Sequence, residues 1–244
     1  MKNYLKQFSY AFVMLLVGLC PMGLGMVFIG ITGEKYSVFI MDLSVFVGGL
    51  LCVPVMKTQF NINVKDVFKM PKSDELLLVI SMAVIYTVIT ALTEYREVLS
   101  EPSDEIYTLT DWIGSGVLAL VSEEIIFRFS MLTLLLMSAG HCKKIISFIV
   151  VSAIWAIIHF GGTLPRFIDI FIVGIILSII FTKSDNIIYC IIFHSIANIA
   201  IYIISINAKF FADKIWLLYI SIPLFIVCMG TLIYIIDKRK IVKD

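Results

Sequence analysis

Long apolar runs separated by short polar breaks dominate the chain. A helix needs about 20 mostly apolar residues to cross the hydrocarbon core of a bilayer. Eight stretches meet or approach that length, near 8–32, 36–56, 76–93, 112–138, 145–161, 166–182, 187–206 and 214–236. The fifth and sixth are the shortest, and the pattern is also compatible with seven. It predicts an all-α fold: a polytopic membrane helix bundle of about eight transmembrane helices, with residues 1–244 forming a single integral-membrane domain. Between the second and third stretches, Phe60, Ile62, Val64, Val67 and Phe68 alternate with Asn61, Asn63, Lys65, Asp66 and Lys69. That alternation fits a segment lying in the membrane interface and, equally, a solvated loop.

Composition agrees with the pattern. Of 244 residues, 60% are hydrophobic and 15% charged, and the mean hydropathy is +1.02, which excludes a soluble globular enzyme. The net charge of +1 leaves no basic excess for a nucleic-acid backbone, so no nucleic-acid partner is expected. Cys20, Cys52, Cys142, Cys190 and Cys228 form no CxxC pair and fall in or beside apolar runs, where they read as small packed hydrophobes. The first run follows Lys2 and Lys6 like a signal peptide, but bulky Leu19 before Cys20 argues against cleavage, and it reads as a retained helix.

Lys and Arg alternate between loops as the positive-inside rule requires. With the N-terminus inside, the inner side holds Lys2, Lys6, Lys57, Lys65, Lys69, Lys72, Lys143, Lys144, Lys183, Lys238, Arg239, Lys240 and Lys243. The outer side holds only Lys35, Arg96, Arg166, Lys209 and Lys214, so both termini are expected in the cytoplasm. The outer 93–111 loop is acidic, either as a lure for a cationic peptide or simply because outer loops lack Lys and Arg.

Ionisable side chains inside a membrane cost at least about 2.5 kcal/mol each on insertion scales, so a group of them points to function. The fourth stretch holds Glu123, Glu124 and Arg128, the fifth Trp155 and His159, and the seventh His194 and Asn198. Glu124 and Arg128 are four residues apart on one helical face, and so are natural partners, which leaves Glu123 without a local cation. His194 and Asn198 share a face in the same way. Together with His159 they are placed to meet Glu123 across the bundle interior. Taken singly, each fragment also reads as a packing pair or an interhelical hydrogen-bonding group. His141 lies beside Lys143 and Lys144 and reads as solvated; Asp42 stays unassigned.

These fragments resemble the CPBP intramembrane proteases, also called the CAAX protease and bacteriocin-processing or Abi family, through its motifs EExxxR, FxxxH and HxxxN. The resemblance covers Glu123 to Asn198, with a family-like catalytic core at about 112–206. The first and third motifs are intact at Glu123, Glu124, Arg128, His194 and Asn198. The second carries Trp155 where Phe is usual, which keeps an aromatic wall and changes pocket shape.

The resemblance implies a membrane-embedded endopeptidase acting on a membrane-associated peptide or protein in the lipid bilayer. Glu123 is then the general base, His159 holds the attacking water, His194 and Asn198 bind the oxyanion, and Glu124 and Arg128 position the helix. Two rivals stay open. Glu123, His159 and His194 are a conceivable zinc set, and the family was long described as metalloproteases, although the chain lacks HExxH and metal-free chemistry is favoured. A non-catalytic immunity protein or transporter using the polar cluster for binding is the alternative class. An Ile- and Lys-rich composition favours bacterial peptide processing or bacteriocin self-immunity in a bacterial cell membrane.

Overall fold

The computed structural model describes residues 2–32, 37–93, 113–137, 141–159, 164–206 and 214–241. The described residues form eight helices: α1 Lys2–Thr32, α2 Ser37–Phe60, α3 Ser73–Thr93, α4 114–136, α5 His141–Ile158, α6 Leu164–Ser184, α7 Ile187–Ile206 and α8 Trp216–Ile241. The all-helical bundle expected from the sequence is therefore what the chain adopts. Five of these helices, α1, α2, α3, α6 and α8, are long and apolar enough to cross a membrane. Phe28, Ile31, Leu24, Ile226 and Val227 are each at least 60% exposed, an apolar exterior suited to lipid rather than water. The acidic 93–111 loop, apart from Thr93, lies outside the described residues, as does the side chain of His141.

α4 is the central element and packs against α1, α2, α5, α6 and α7. It is not evenly wound. Gly114–Leu118 and Ile125–Leu132 are π-helical, with the wider i→i+5 turn that recurs at functional sites. The Ser130 and Thr133 hydroxyls donate to the carbonyls of Ile125 and Arg128, each five residues back.

Small residues let the backbones come close, since apolar packing alone gives membrane helices little reason to associate. Gly48 of α2 meets the Gly18 carbonyl of α1 so closely that no Cβ fits between them. A Cβ on Gly49 would lie 2.6 Å from Ser122 Cβ, so this glycine seats α2 directly against the turn that carries Glu123. Gly174 does the same for α6 against Ser152 of α5, at 2.7 Å.

The segment between α2 and α3 is neither a free loop nor a purely interfacial stretch. Val64–Asp66 form a 3-10 turn capped by the Asn63 side chain. Val67 O then accepts from Ile187 N, and Asn186 Nδ2 donates to Lys69 O, which fastens the segment to the α6–α7 turn. In that turn Asp185 adopts φ 49°, ending α6. The Asn186 carboxamide oxygen accepts Ile188 N, capping α7.

Candidate active site

The middle of α4, from its regular turn 119–124 into the π-helical 125–132, carries the buried charges. Glu124 and Arg128 are fully buried, with Arg128 Nη1 donating to Glu124 Oε1 at 3.2 Å. This is the i,i+4 pair read from the sequence. A second partner joins it from α7: His194 Nδ1 lies 2.9 Å from the same Oε1. His194 therefore binds Glu124 and not Glu123.

Glu123 points elsewhere and remains 13% exposed. Its Oε2 accepts the Trp155 indole N–H at 2.9 Å, and its Oε1 lies 3.4 Å from His159 Nε2. His159 Nδ1 is 2.8 Å from the Trp155 carbonyl. A carbonyl can only accept, so the proton sits on Nδ1 and Nε2 is left facing the carboxylate. The expectation that Glu123 lacks a local cation holds within α4, but α5 brings an imidazole to it.

Trp155 is the hub of this arrangement rather than a plain wall. Its ring packs edge-on to His159 at 5.3 Å and to His194 at 5.2 Å. The Arg128 guanidinium carbon lies 4.6 Å from its centroid. Arg128 Nε and Nη2 are buried without a hydrogen-bond partner, so the indole face is a principal source of stabilisation for that charge. A phenylalanine at this position would supply a weaker face and no N–H.

These groups line one cavity of about 150 Å³, with Glu123, Trp155, His159, His194 and Asn198 all at its surface. Three further polar residues share it and were not singled out in the sequence: Tyr86, Arg166 and Asp169. Asp169 Oδ1 accepts the hydroxyls of Tyr86 at 2.5 Å and Thr90 at 3.1 Å, both from α3. The available signal was Asp169 itself, an acid inside the sixth apolar stretch. Asp42, left unassigned above, accepts the Ser115 hydroxyl at 2.8 Å and lies outside this lining.

The zinc set fits poorly. Among the described residues no group of three His, Cys, Asp or Glu side chains converges so as to hold a metal ion. His194, one of the three candidate ligands, instead commits Nδ1 to a carboxylate already paired with Arg128.

Residues 105–200 match the family model described as type II CAAX prenyl endopeptidase Rce1-like. No curated protein and no solved structure matches the chain. The matched segment contains all three motifs and the described parts of α4, α5 and α6, together with α7 through its motif residues, and the family it represents is one of membrane endopeptidases. Through residues 105–200, the part that builds most of the cavity, this chain is similar to the Rce1-like type II CAAX prenyl endopeptidases.

Proposed function

We propose that the chain is a single-domain intramembrane peptidase in which Glu123 activates water for attack on a peptide bond. The observation that carries this reading is the meeting of Glu123, His159, His194 and Asn198 at one cavity surface. Glu123 Oε1 and His159 Nε2 lie 3.4 Å apart, longer than a good hydrogen bond, so that a water entering the cavity meets both groups together. Glu123 takes the water proton as the hydroxide oxygen adds to the carbonyl carbon, and returns it to the leaving amine when the C–N bond breaks.

His194 and Asn198 are the oxyanion donors in this scheme, a role worth about 2.7–4 kcal/mol per donor in other hydrolases. His194 Nδ1 is committed to Glu124, which leaves Nε2 as the nitrogen for the oxyanion. Bacterial peptide processing or self-immunity against a bacteriocin is the cellular role we favour, because the matched segment supports a peptidase and the Ile- and Lys-rich chain fits a bacterial source.

Replacing Glu123 with Gln tests the proposal. The amide is nearly isosteric but cannot accept the proton, so cleavage of a natural substrate in membranes should fall by about 10²–10⁴-fold, with insertion and thermal stability retained. Undiminished cleavage by Glu123→Gln would remove the carboxylate from the mechanism. A binding-only immunity protein or transporter would instead keep its function in this variant.

A further inference from the structure

Two polar pockets lie at opposite ends of the same three helices. One is the cavity just described, reached by Tyr86 of α3, by Arg166 and Asp169 in the first turns of α6, and by Asn198 of α7. The other is built from Lys72 and Glu75 at the start of α3, Asp185 and Asn186 after α6, Tyr189 at the start of α7, and Arg239 near the end of α8. From Glu75 to Tyr86 the helix rises about 16 Å, so the two sites occupy different halves of the bundle.

The second pocket belongs to a basic end that the contacts tie together. Tyr4 of α1 shares a hydrogen bond with Ser147 of α5, and Tyr10 packs on Phe60 at the end of α2. Lys183 binds Asp237, and Arg239 binds Asp74 and Glu75. This end carries Lys57, Lys65, Lys69, Lys72, Lys143, Lys144, Lys183, Lys238, Arg239 and Lys240, and the helix that starts at Lys2 and Lys6. At the opposite end, among the described residues, the only cations are Arg166 and Lys214. Chains insert with the Lys- and Arg-rich end in the cytoplasm.

We infer that the catalytic cavity sits in the outer half of the membrane, with its rim at the non-cytoplasmic face, and that the substrate is a peptide segment presented from that face. The inference rests on the peptidase reading for the nature of the substrate, and on charge and packing for its direction. The rim residues agree: Arg166 is exposed and the His159 side chain is 34% exposed, both at the lysine-poor end. A peptide arriving from outside meets Arg166 first, then the carboxylates of Asp169 and Glu123 beneath it. A substrate displayed only on the cytoplasmic face would meet the Lys72, Glu75 and Arg239 cluster and not the cavity.

Cysteine labelling tests the sidedness directly. In the full-length chain with its five native cysteines replaced, single cysteines are placed at Met70 (basic end), Leu164 (opposite end) and Ile170 (cavity wall), and spheroplasts are treated with a membrane-impermeant maleimide. Leu164→Cys and Ile170→Cys should be labelled in intact spheroplasts and Met70→Cys only after the membrane is opened. Labelling of Met70→Cys in intact spheroplasts would overturn the inference, as would an Ile170→Cys protected while Leu164→Cys is reached. The outcome separates from that of Glu123→Gln: active Glu123→Gln with the expected labelling would sink the peptidase and spare the sidedness, and inverted labelling with loss of activity would do the reverse.

Discussion

Arg128 and Glu124 are both fully excluded from solvent, and Arg128 has two nitrogens without hydrogen-bond partners. Such a pair is held in place by what surrounds it, and breaking it is worse than never having built it. Arg128→Met removes the guanidinium but leaves the Glu124 carboxylate buried with only His194 beside it. The cost expected for an orphaned buried charge is about 3–5 kcal/mol. At roughly 2–4 °C per kcal/mol for a chain of this length, the thermal midpoint should fall by about 6–20 °C. Adding Glu124→Gln removes the orphan charge, and the Gln carbonyl can still accept from His194 Nδ1. The double variant should therefore regain most of the lost stability while the single variant does not. The measurement is thermal unfolding of purified protein in detergent, followed by tryptophan fluorescence or by loss of soluble monomer. A double variant no more stable than Arg128→Met would refute the account, since the penalty would then lie in lost packing under the guanidinium rather than in the uncompensated charge.

Trp155→Phe keeps the ring but loses the N–H that holds Glu123 Oε2 at 2.9 Å. A hydrogen bond to a charged group is worth about 1.5–3 kcal/mol, so kcat should drop roughly 10–100-fold with KM nearly unchanged; an equal rise in KM with kcat intact would show that the indole acts on substrate binding instead. Gly49→Val forces a side chain into the backbone of Ser122 and should cost about 1–3 kcal/mol, read as a lowered thermal midpoint together with reduced cleavage. Gly23→Val, where an added Cβ meets nothing within 4 Å, is the control and should leave both unchanged.

The bundle was legible because its spans follow from hydropathy and length, and the Glu124–Arg128 pair because i,i+4 spacing is a property of one helix. What crosses between helices was not. Both carboxylates are plausible partners for His194 in sequence, and only the packing of α7 on the middle of α4 selects Glu124. Trp155 reads as an aromatic substitution in a motif; that its N–H reaches a carboxylate on a neighbouring helix depends on how α5 packs against α4. Asp169 shows in the sequence only as a single acid inside the sixth stretch, three residues after Arg166. It acquires its setting from Tyr86 and Thr90, some eighty residues earlier in the chain.

The π-helical turns of α4 carry a final consequence for how the sequence can drift. A turn closed over five residues holds one residue more than regular winding needs, so deletion of a single residue within 125–132 can be absorbed by relaxation to an ordinary α-helix. The same deletion in regularly wound α6 would swing every later side chain by about 100° and turn Val173 away from the cavity. Length variation in the middle of the span that bears the reacting carboxylate is thus the kind this architecture can survive.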